Sequence, residues 1–426
     1  MVNMMKILIT ILFLYTYFTF YFKGIYFFHV VLFHFLMIGY VIKNRAILEE
    51  YYIMRCNRTP LVIFFYGFGF CLFLGVVTLL FNMSSEIGFY YTFFKIPRQI
   101  LCSLFLLVFL VRNVKTNLEV VDFGDYFINS CVVYVISTVI MMLVPEVRDA
   151  WFGIIEQTST AEIATSQVQE YGLLLTRCGL RGFSGLDCGY YCSFAVFFLL
   201  YKILRSKKFL IYDLLRFVFL IAGNIFYSRT SLLVSVIGVG FTLTYLFLYN
   251  KKTFVHIIST ILFIAMIIAS LVEYNSDVEW IQWSFAPILG VIDYITGAST
   301  QISLGSSGDE LMYGYSTYYI DDFFWSSLFG SGIYPNVDVG YIKQFSFYGM
   351  IGTLVYYLTF IIINISILSY HRKDNIEVAP LIIAIIISEL VSEFKGEVMH
   401  FYFSAIVVFY FLGGEKLELN KGDIHE

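Results

Sequence analysis

Apolar residues in this chain run in long blocks. They show neither the strict alternation of a half-buried strand nor the narrow stripe of a surface helix. An α-helix needs about 20 mostly apolar residues to cross a hydrocarbon core ~30 Å thick. About twelve blocks reach or approach that length: 7–22, 25–42, 61–81, 93–111, 126–145, 186–204, 209–227, 231–249, 253–272, 346–368, 378–392 and 399–413. The pattern predicts an all-α polytopic integral membrane protein of about 12 transmembrane helices, with residues 1–426 as a single membrane domain. The fourth block is the least clean, because Lys95, Pro97 and Arg98 sit near its start. The last two are short enough for a broken or re-entrant pair. No small-residue cleavage site follows 7–22, so a retained span is expected there, not a cleaved signal peptide.

Composition narrows the class. Of the residues, 59% are hydrophobic, 20% are aromatic and only 14% are charged, whereas soluble domains carry about 25% charged residues. The mean hydropathy is +0.79. A disordered tail, a coiled coil, a secreted disulfide scaffold and an ordinary soluble enzyme are excluded. A net charge of −4 excludes a basic nucleic-acid binder, which needs a Lys/Arg-rich face.

The basic residues instead report orientation. With the N-terminus placed in the cytoplasm, 17 of the 27 fall in inner segments, nine in outer ones, and Arg216 within a span. The outer segments are much longer in sum, so both termini are expected in the cytoplasm. Two large loops then face outward, at about 146–185 and 273–345. Loops this long are uncommon unless functional. The second holds three of the four tryptophans, Trp280, Trp283 and Trp325, and is expected to lay short helices on the membrane surface. Its rings suit an interfacial aromatic belt and also stacking against sugar faces. The short inner loops leave no room for a cytosolic domain, so the chemistry is expected at the outer face.

Cysteine and histidine add little. Most of Cys56, Cys71, Cys102, Cys131, Cys178, Cys188 and Cys192 lie in or beside spans, where Cys acts as a small apolar residue. Cys178 and Cys188 are both external and are the pair that an oxidising compartment could bridge. No His, Cys and carboxylate spacing suits zinc, and no Gly-rich phosphate loop is present. Asp321 and Asp322 lack a third ligand in fixed register. No metal and no cofactor is expected.

Four outer stretches carry ionisable groups. In TRCGLRGFSGLD, Arg177 and Arg181 stand four apart. If the stretch is helical, both guanidinium groups share one face. Two such forks suit an anion with several oxygens, such as a diphosphate. On spacing alone they better suit interfacial arginines that reach lipid headgroups. Arg229, in NIFYSRTSLL, occupies a tight outer turn against the positive-inside trend, with Thr230 and Ser231 able to cap the next helix. Asp338 and Lys343 lie in FGSGIYPNVDVGYIKQFSFYGMIG, where Gly330, Gly332 and Pro335 predict a defined turn packed close to a neighbour. Asp338 suits orienting a hydroxyl, pairing with an arginine, or capping a helix.

In SELVSEFKGEVMHFY, Glu389, Glu393 and Glu397 recur every four residues, and Gly396 is a point where the helix can break. Ionisable groups at the edge of a span usually face a bundle interior or a cavity. Glu393 and His400 are candidate general bases. Charge pairing of Glu393 with Lys395 or an arginine is the alternative. Asp213 and Arg216, three apart on the seventh block, read as a self-satisfied pair.

Three stretches in order carry a resemblance: RGFSGLDCGYY opening a span, YSRTSLLVSVIGVG at a tight outer turn, and FGSGIYPNVDVGYIKQFSFYGMIG re-entering the membrane. Together with the layout they resemble the Wzy-type O-antigen and capsular polysaccharide repeat-unit polymerases of the O-antigen ligase–polymerase superfamily. The likeness covers most of the chain in layout and about sixty residues in motif.

It implies a glycosyltransferase of the bacterial cytoplasmic membrane. A growing glycan on undecaprenyl diphosphate is transferred to a new lipid-linked repeat unit, in O-antigen, capsule or exopolysaccharide synthesis. The implied partners are the lipid-linked donor and acceptor oligosaccharides, membrane lipid, a chain-length regulator and a flippase, with no nucleic acid. Diphosphate binding would fall to Arg229, Arg177 and Arg181, and the base would be Glu393, Asp338 or His400. A single displacement inverts the anomeric centre, and diphosphate leaves without needing a metal. An O-antigen ligase is the nearest alternative, although the His of that family's large loop has no counterpart in 273–345. A lipid-glycan flippase or secondary transporter is the other, and the asymmetric loops and outer-edge polar groups disfavour it.

Overall fold

The computed structural model describes residues 2–55, 58–82, 87–115, 117–156, 177–206, 210–274, 328–335, 339–371 and 376–413. Its helices in chain order are α1 (Val2–Tyr17), α2 (Tyr26–Lys43), α3 (Arg45–Arg55), α4 (Thr59–Asn82), α5 (Ile87–Asn113), α6 (Val120–Leu143), α7 (Pro145–Ile154), α8 (Leu186–Ser206), α9 (Ile211–Tyr227), α10 (Arg229–Tyr249), α11 (Lys251–Tyr274), α12 (Gly340–His371), α13 (Ala379–Ser392) and α14 (Met399–Leu412). Each of the apolar blocks falls on one of them; α3 and α7 are additional, less apolar pieces. Among the described residues, six helices are long and apolar enough to cross a membrane: α4, α5, α6, α8, α10 and α12. The chain is a mostly helical, membrane-embedded protein. α13 and α14 have 14 residues each. At 1.5 Å per residue, each reaches only about two-thirds of the way across the hydrocarbon core.

α8 is the axis. Of its apolar window 83% is buried, against 28–56% for the other five. It packs against α6, α9 and α10, while α4 lies along α12, α13 along α10 and α14 along α5. Small residues allow the close approach of α8 and α10. Gly189 faces Ser228 and Ser231, and Gly238 lies against the Phe197 ring; a larger residue at either point would drive the helices apart. Buried polar groups tie the same helices. Ser193 Oγ lies 2.9 Å from Asn224 Oδ1 and 2.7 Å from the Ser231 carbonyl, and Asn224 Nδ2 donates to Ser235 Oγ at 2.9 Å. The outer surface is apolar. On α4, Phe65, Phe73 and Leu80 are exposed while Phe68 and Cys71 are buried, as expected of a helix with one face to lipid.

The two ends of the bundle differ. At one end, the expected Asp213–Arg216 pair is part of a larger cluster. Lys202 Nζ reaches Asp125 at 3.2 Å and Asp213 at 3.1 Å, and Arg216 reaches Asp125 at 2.8 Å and Asp213 at 3.7 Å. Two acids and two bases from α6, α8 and α9 neutralise one another, as buried charges must. At the other end, the N-termini of α8, α10, α12 and α14 converge. The turn expected near Gly330 and Gly332 is present there. Both glycines have positive φ, 83° and 70°, and Gly330 packs on the backbone of Phe347 and Gly349, where α12 kinks. Ser331 N donates to the Ser346 carbonyl at 2.8 Å. Half of the first large loop and most of the second, with Trp280, Trp283, Asp321, Asp322 and Trp325, lie outside the described residues, as does Asp338.

Candidate functional site

The stretch carrying Arg177 and Arg181 is not the helix on which a shared face depended. It forms an antiparallel hairpin of β1 (Cys178–Gly179) and β2 (Gly182–Phe183), with Cys178 opposite Phe183 and Gly179 opposite Gly182. Gly179, Gly182 and Gly185 each weaken a helix by about 1 kcal/mol. Gly182 sits at φ 89°, a conformation that glycine adopts without strain. The hairpin is pinned on three sides. Ser184 N donates to the Arg177 carbonyl (2.8 Å), Ser184 Oγ shares a hydrogen bond with Tyr134 (2.7 Å), and Trp151 Nε1 donates to the Leu180 carbonyl (2.8 Å). Arg177 is thus at the base and Arg181 at the tip, ~10 Å apart by strand rise.

Arg177 lies within electrostatic reach of Arg229. Arg229 opens α10, whose N-cap is Ser228: Ser228 Oγ accepts from Ser231 N at 3.4 Å, and Ser231 Oγ donates back to the Ser228 carbonyl at 2.6 Å. The cap expected from Thr230 and Ser231 is therefore centred two to three residues earlier, at Ser228. Burial, reinforced by the Arg229 charge, pushes the Arg177 guanidinium down to about 10. Its side chain also lies 5.9 Å from the Phe183 ring centre. The first turn of α10 holds no acidic residue. A helix N-terminus with arginines near it is a setting that favours a bound anion.

Arg181 faces elsewhere. It forms an ion pair with Asp187 in the first turn of α8, and Asp187 also accepts from Cys188 N at 3.0 Å. Beyond it stands Arg98 of α5, whose charge opposes that of Arg181. Arg98 Nε donates to His34 Nε2 of α2 at 3.2 Å. Lys95 and Arg98 together bear on His400, the second residue of α14. Sequence reasoning treated Lys95 and Arg98 as a blemish on a span; two cations three apart at the head of an apolar block were the signal.

Glu393 occupies the break between α13 and α14. Its Oε1 accepts from Val398 N (2.8 Å) and Met399 N (3.0 Å), its Oε2 accepts from the Tyr357 hydroxyl (2.8 Å), and its carbonyl accepts from Gly340 N (3.0 Å). One residue thereby fixes the starts of both α12 and α14. Burial pushes its carboxyl up to about 7; the Val398 N–H opposes this and the Glu397 charge adds to it. Glu397 accepts from the Tyr334 hydroxyl and, at 3.4 Å, from Gln344 Nε2. Lys343 lies 5.3 Å over the Tyr334 ring. Glu389, one turn before Glu393, is fully buried, and neither of its oxygens has a hydrogen-bond partner among the described residues. Cys178 and Cys188 are separate, buried free thiols, with no bridge between them.

Arg177, Arg181, Arg229, Glu393 and His400 therefore share one end of the bundle. The start of α8 links them: Gly189 touches the Arg229 turn, Tyr190 stacks on Phe401 with ring centres 5.6 Å apart, and Tyr191 accepts from Gln99 of α5 at 2.8 Å. The end combines cations, converging helix N-termini and buried carboxyls, groups of the kinds that hold an oxyanion and accept a proton. Set against family models, curated proteins and solved structures, the chain matches none.

Proposed function

We propose that the chain is a polysaccharide repeat-unit polymerase of the bacterial cytoplasmic membrane. In this reading it moves an undecaprenyl-diphosphate-linked glycan onto a new lipid-linked unit at the outer face. All twelve apolar blocks cross or enter the membrane, and both termini are cytoplasmic. The observation that carries the reading is the Arg177–Arg229 pair at the N-terminus of α10. A departing lipid diphosphate gains most from such fixed cations, because its charge grows as the glycosidic bond breaks.

The acceptor sugar hydroxyl attacks the anomeric carbon of the donor. The bond from that carbon to the phosphate oxygen breaks, and undecaprenyl diphosphate leaves with the electron pair. The hydroxyl proton passes to a base, and the anomeric centre inverts. His400, Glu393 and Asp338 are the candidates. Glu393, raised to about 7, has a basicity suited to the task, while its three side-chain hydrogen bonds favour a positioning role.

The test is reconstitution of the full chain in liposomes with undecaprenyl-diphosphate-linked repeat units. A ladder of longer glycans with release of undecaprenyl diphosphate is expected. Movement of the lipid-linked unit across the bilayer without its consumption would instead select the flippase reading.

A further inference from the structure

Glu389 takes no part in the chemistry above, yet it stands one helical turn before Glu393, about 6 Å away along α13 by helix rise. Both side chains are fully buried. They differ in what meets their oxygens. Glu393 accepts from Val398 N, Met399 N and the Tyr357 hydroxyl. Neither oxygen of Glu389 has a hydrogen-bond partner among the described residues, and no cation among them pairs with it.

The neighbouring elements bring hydroxyls rather than charge. α10, packed along α13, has no ionisable side chain between Arg229 and Tyr245. α12 brings Tyr357 and Tyr341, whose hydroxyl donates to the Leu390 carbonyl at 2.6 Å. α14 brings His400 and Tyr402; the Tyr402 hydroxyl lies 3.0 Å from Ser392 Oγ. Tyr190 of α8 packs on the Tyr402 ring with centres 5.8 Å apart. The hydroxyls of Tyr190 and Ser388 are also buried, and neither has a partner among the described residues. Glu377 precedes α13, and Lys395 and Glu397 follow its end. A bare carboxylate at Glu389 would lack both donors and a counter-charge, and an ionised Glu393 one turn away makes a second charge costlier still.

We propose that Glu389 is an un-ionised carboxylic acid built into this end of the bundle: it holds the first proton of a Glu389–Glu393 pair and leaves Glu393 as the member that gains and loses one. Glu389 is thus a positioning residue, which acts on Glu393 by staying neutral. The inference does not depend on the polymerase reading, because it concerns where a proton resides in whichever reaction this end performs. The rival is an ionised Glu389 that binds a sodium ion, with the Ser388 and Tyr190 hydroxyls as further ligands.

The experiment is infrared spectroscopy of the full chain in dodecyl maltoside, a detergent without a carbonyl group. At about pH 8 exposed carboxyls are ionised, so the C=O stretch of an un-ionised carboxyl marks a buried acid. Wild type is expected to show this band with and without sodium. Glu393→Gln is expected to keep it, and Glu389→Gln, which has the shape of the acid form, to lose it. Glu389→Asp, which keeps a carboxyl, is expected to retain the band at a shifted frequency. Between about pH 8 and pH 6, a second band is expected to grow in wild type and in Glu389→Gln with the same midpoint, and to be missing from Glu393→Gln. A wild-type chain without the first band overturns the proposal, as does a band lost in Glu393→Gln and kept in Glu389→Gln. A band that sodium removes overturns it in favour of the cation site. A lower Glu393 midpoint in Glu389→Gln also overturns it, because an ionised Glu389 would then have been holding that midpoint up.

Discussion

Arg177 and Arg229 lie within electrostatic reach of each other near a helix N-terminus, which adds a partial positive charge. Arg229→Ala is expected to reduce polymer at least ~100-fold while the protein still inserts; a normal glycan ladder would remove Arg229 from the site. Glu393 makes a pH prediction. Its carboxyl rises from 4.5 to about 7 on folding, so the folded state prefers the protonated form. The stability this contributes is complete below 4.5 and is lost as pH rises through about 7. Wild type is expected to lose melting temperature across that window, and Glu393→Gln to flatten the loss; equal slopes in both would assign the titration to another group. Arg229 and Glu393 were legible in the sequence because each is an ionisable residue at the edge of an apolar block. Arg98 was not, because the same position lowers the hydropathy of a span and reads first as a fault in it.

Among the elements, the hairpin is the one that changes chemistry. A helix over 177–181 would aim both arginines at one anion, whereas the hairpin sends them to different neighbours. The spacing of four was the visible signal; the glycines at 179, 182 and 185 were the competing one, and they prevailed. Gly182→Ala forces a side chain into φ 89°, at a cost of about 1–2 kcal/mol. It is expected to lower polymer yield while the protein still inserts, and wild-type yield would show that the hairpin does not position the arginines. The run of Glu389, Glu393 and Glu397 follows the same pattern. Its period of four suggested one continuous helix face, but α13 ends at Ser392. Glu393 then turns to cap α14, because the orphan N–H groups of a buried helix start need an acceptor. The helices themselves were readable from apolar blocks alone, since a membrane permits few other ways to satisfy the backbone.

At the scale of the whole molecule, charge separates the two ends. One holds the neutral Asp125, Lys202, Asp213 and Arg216 cluster. The other gathers the arginines, four helix starts and Glu393. The positive-inside count assigns the second end to the outside. Glu310→Cys is therefore expected to react with an impermeant maleimide in intact cells or spheroplasts; protection until lysis would invert the orientation. The grouping of the side chains at this end was not legible, because they are drawn together by packing between α5, α8, α10 and α14 and not by proximity in the chain. The most direct measurement of the central claim is the lipid-linked glycan profile of cells with and without this protein, complemented by wild type or by Arg229→Ala. Polymerase activity requires a ladder of repeat units with wild type and single units with the deletion or the variant. An unchanged chain-length distribution after deletion, or loss of all surface glycan while lipid-linked units accumulate at the inner face, would contradict it.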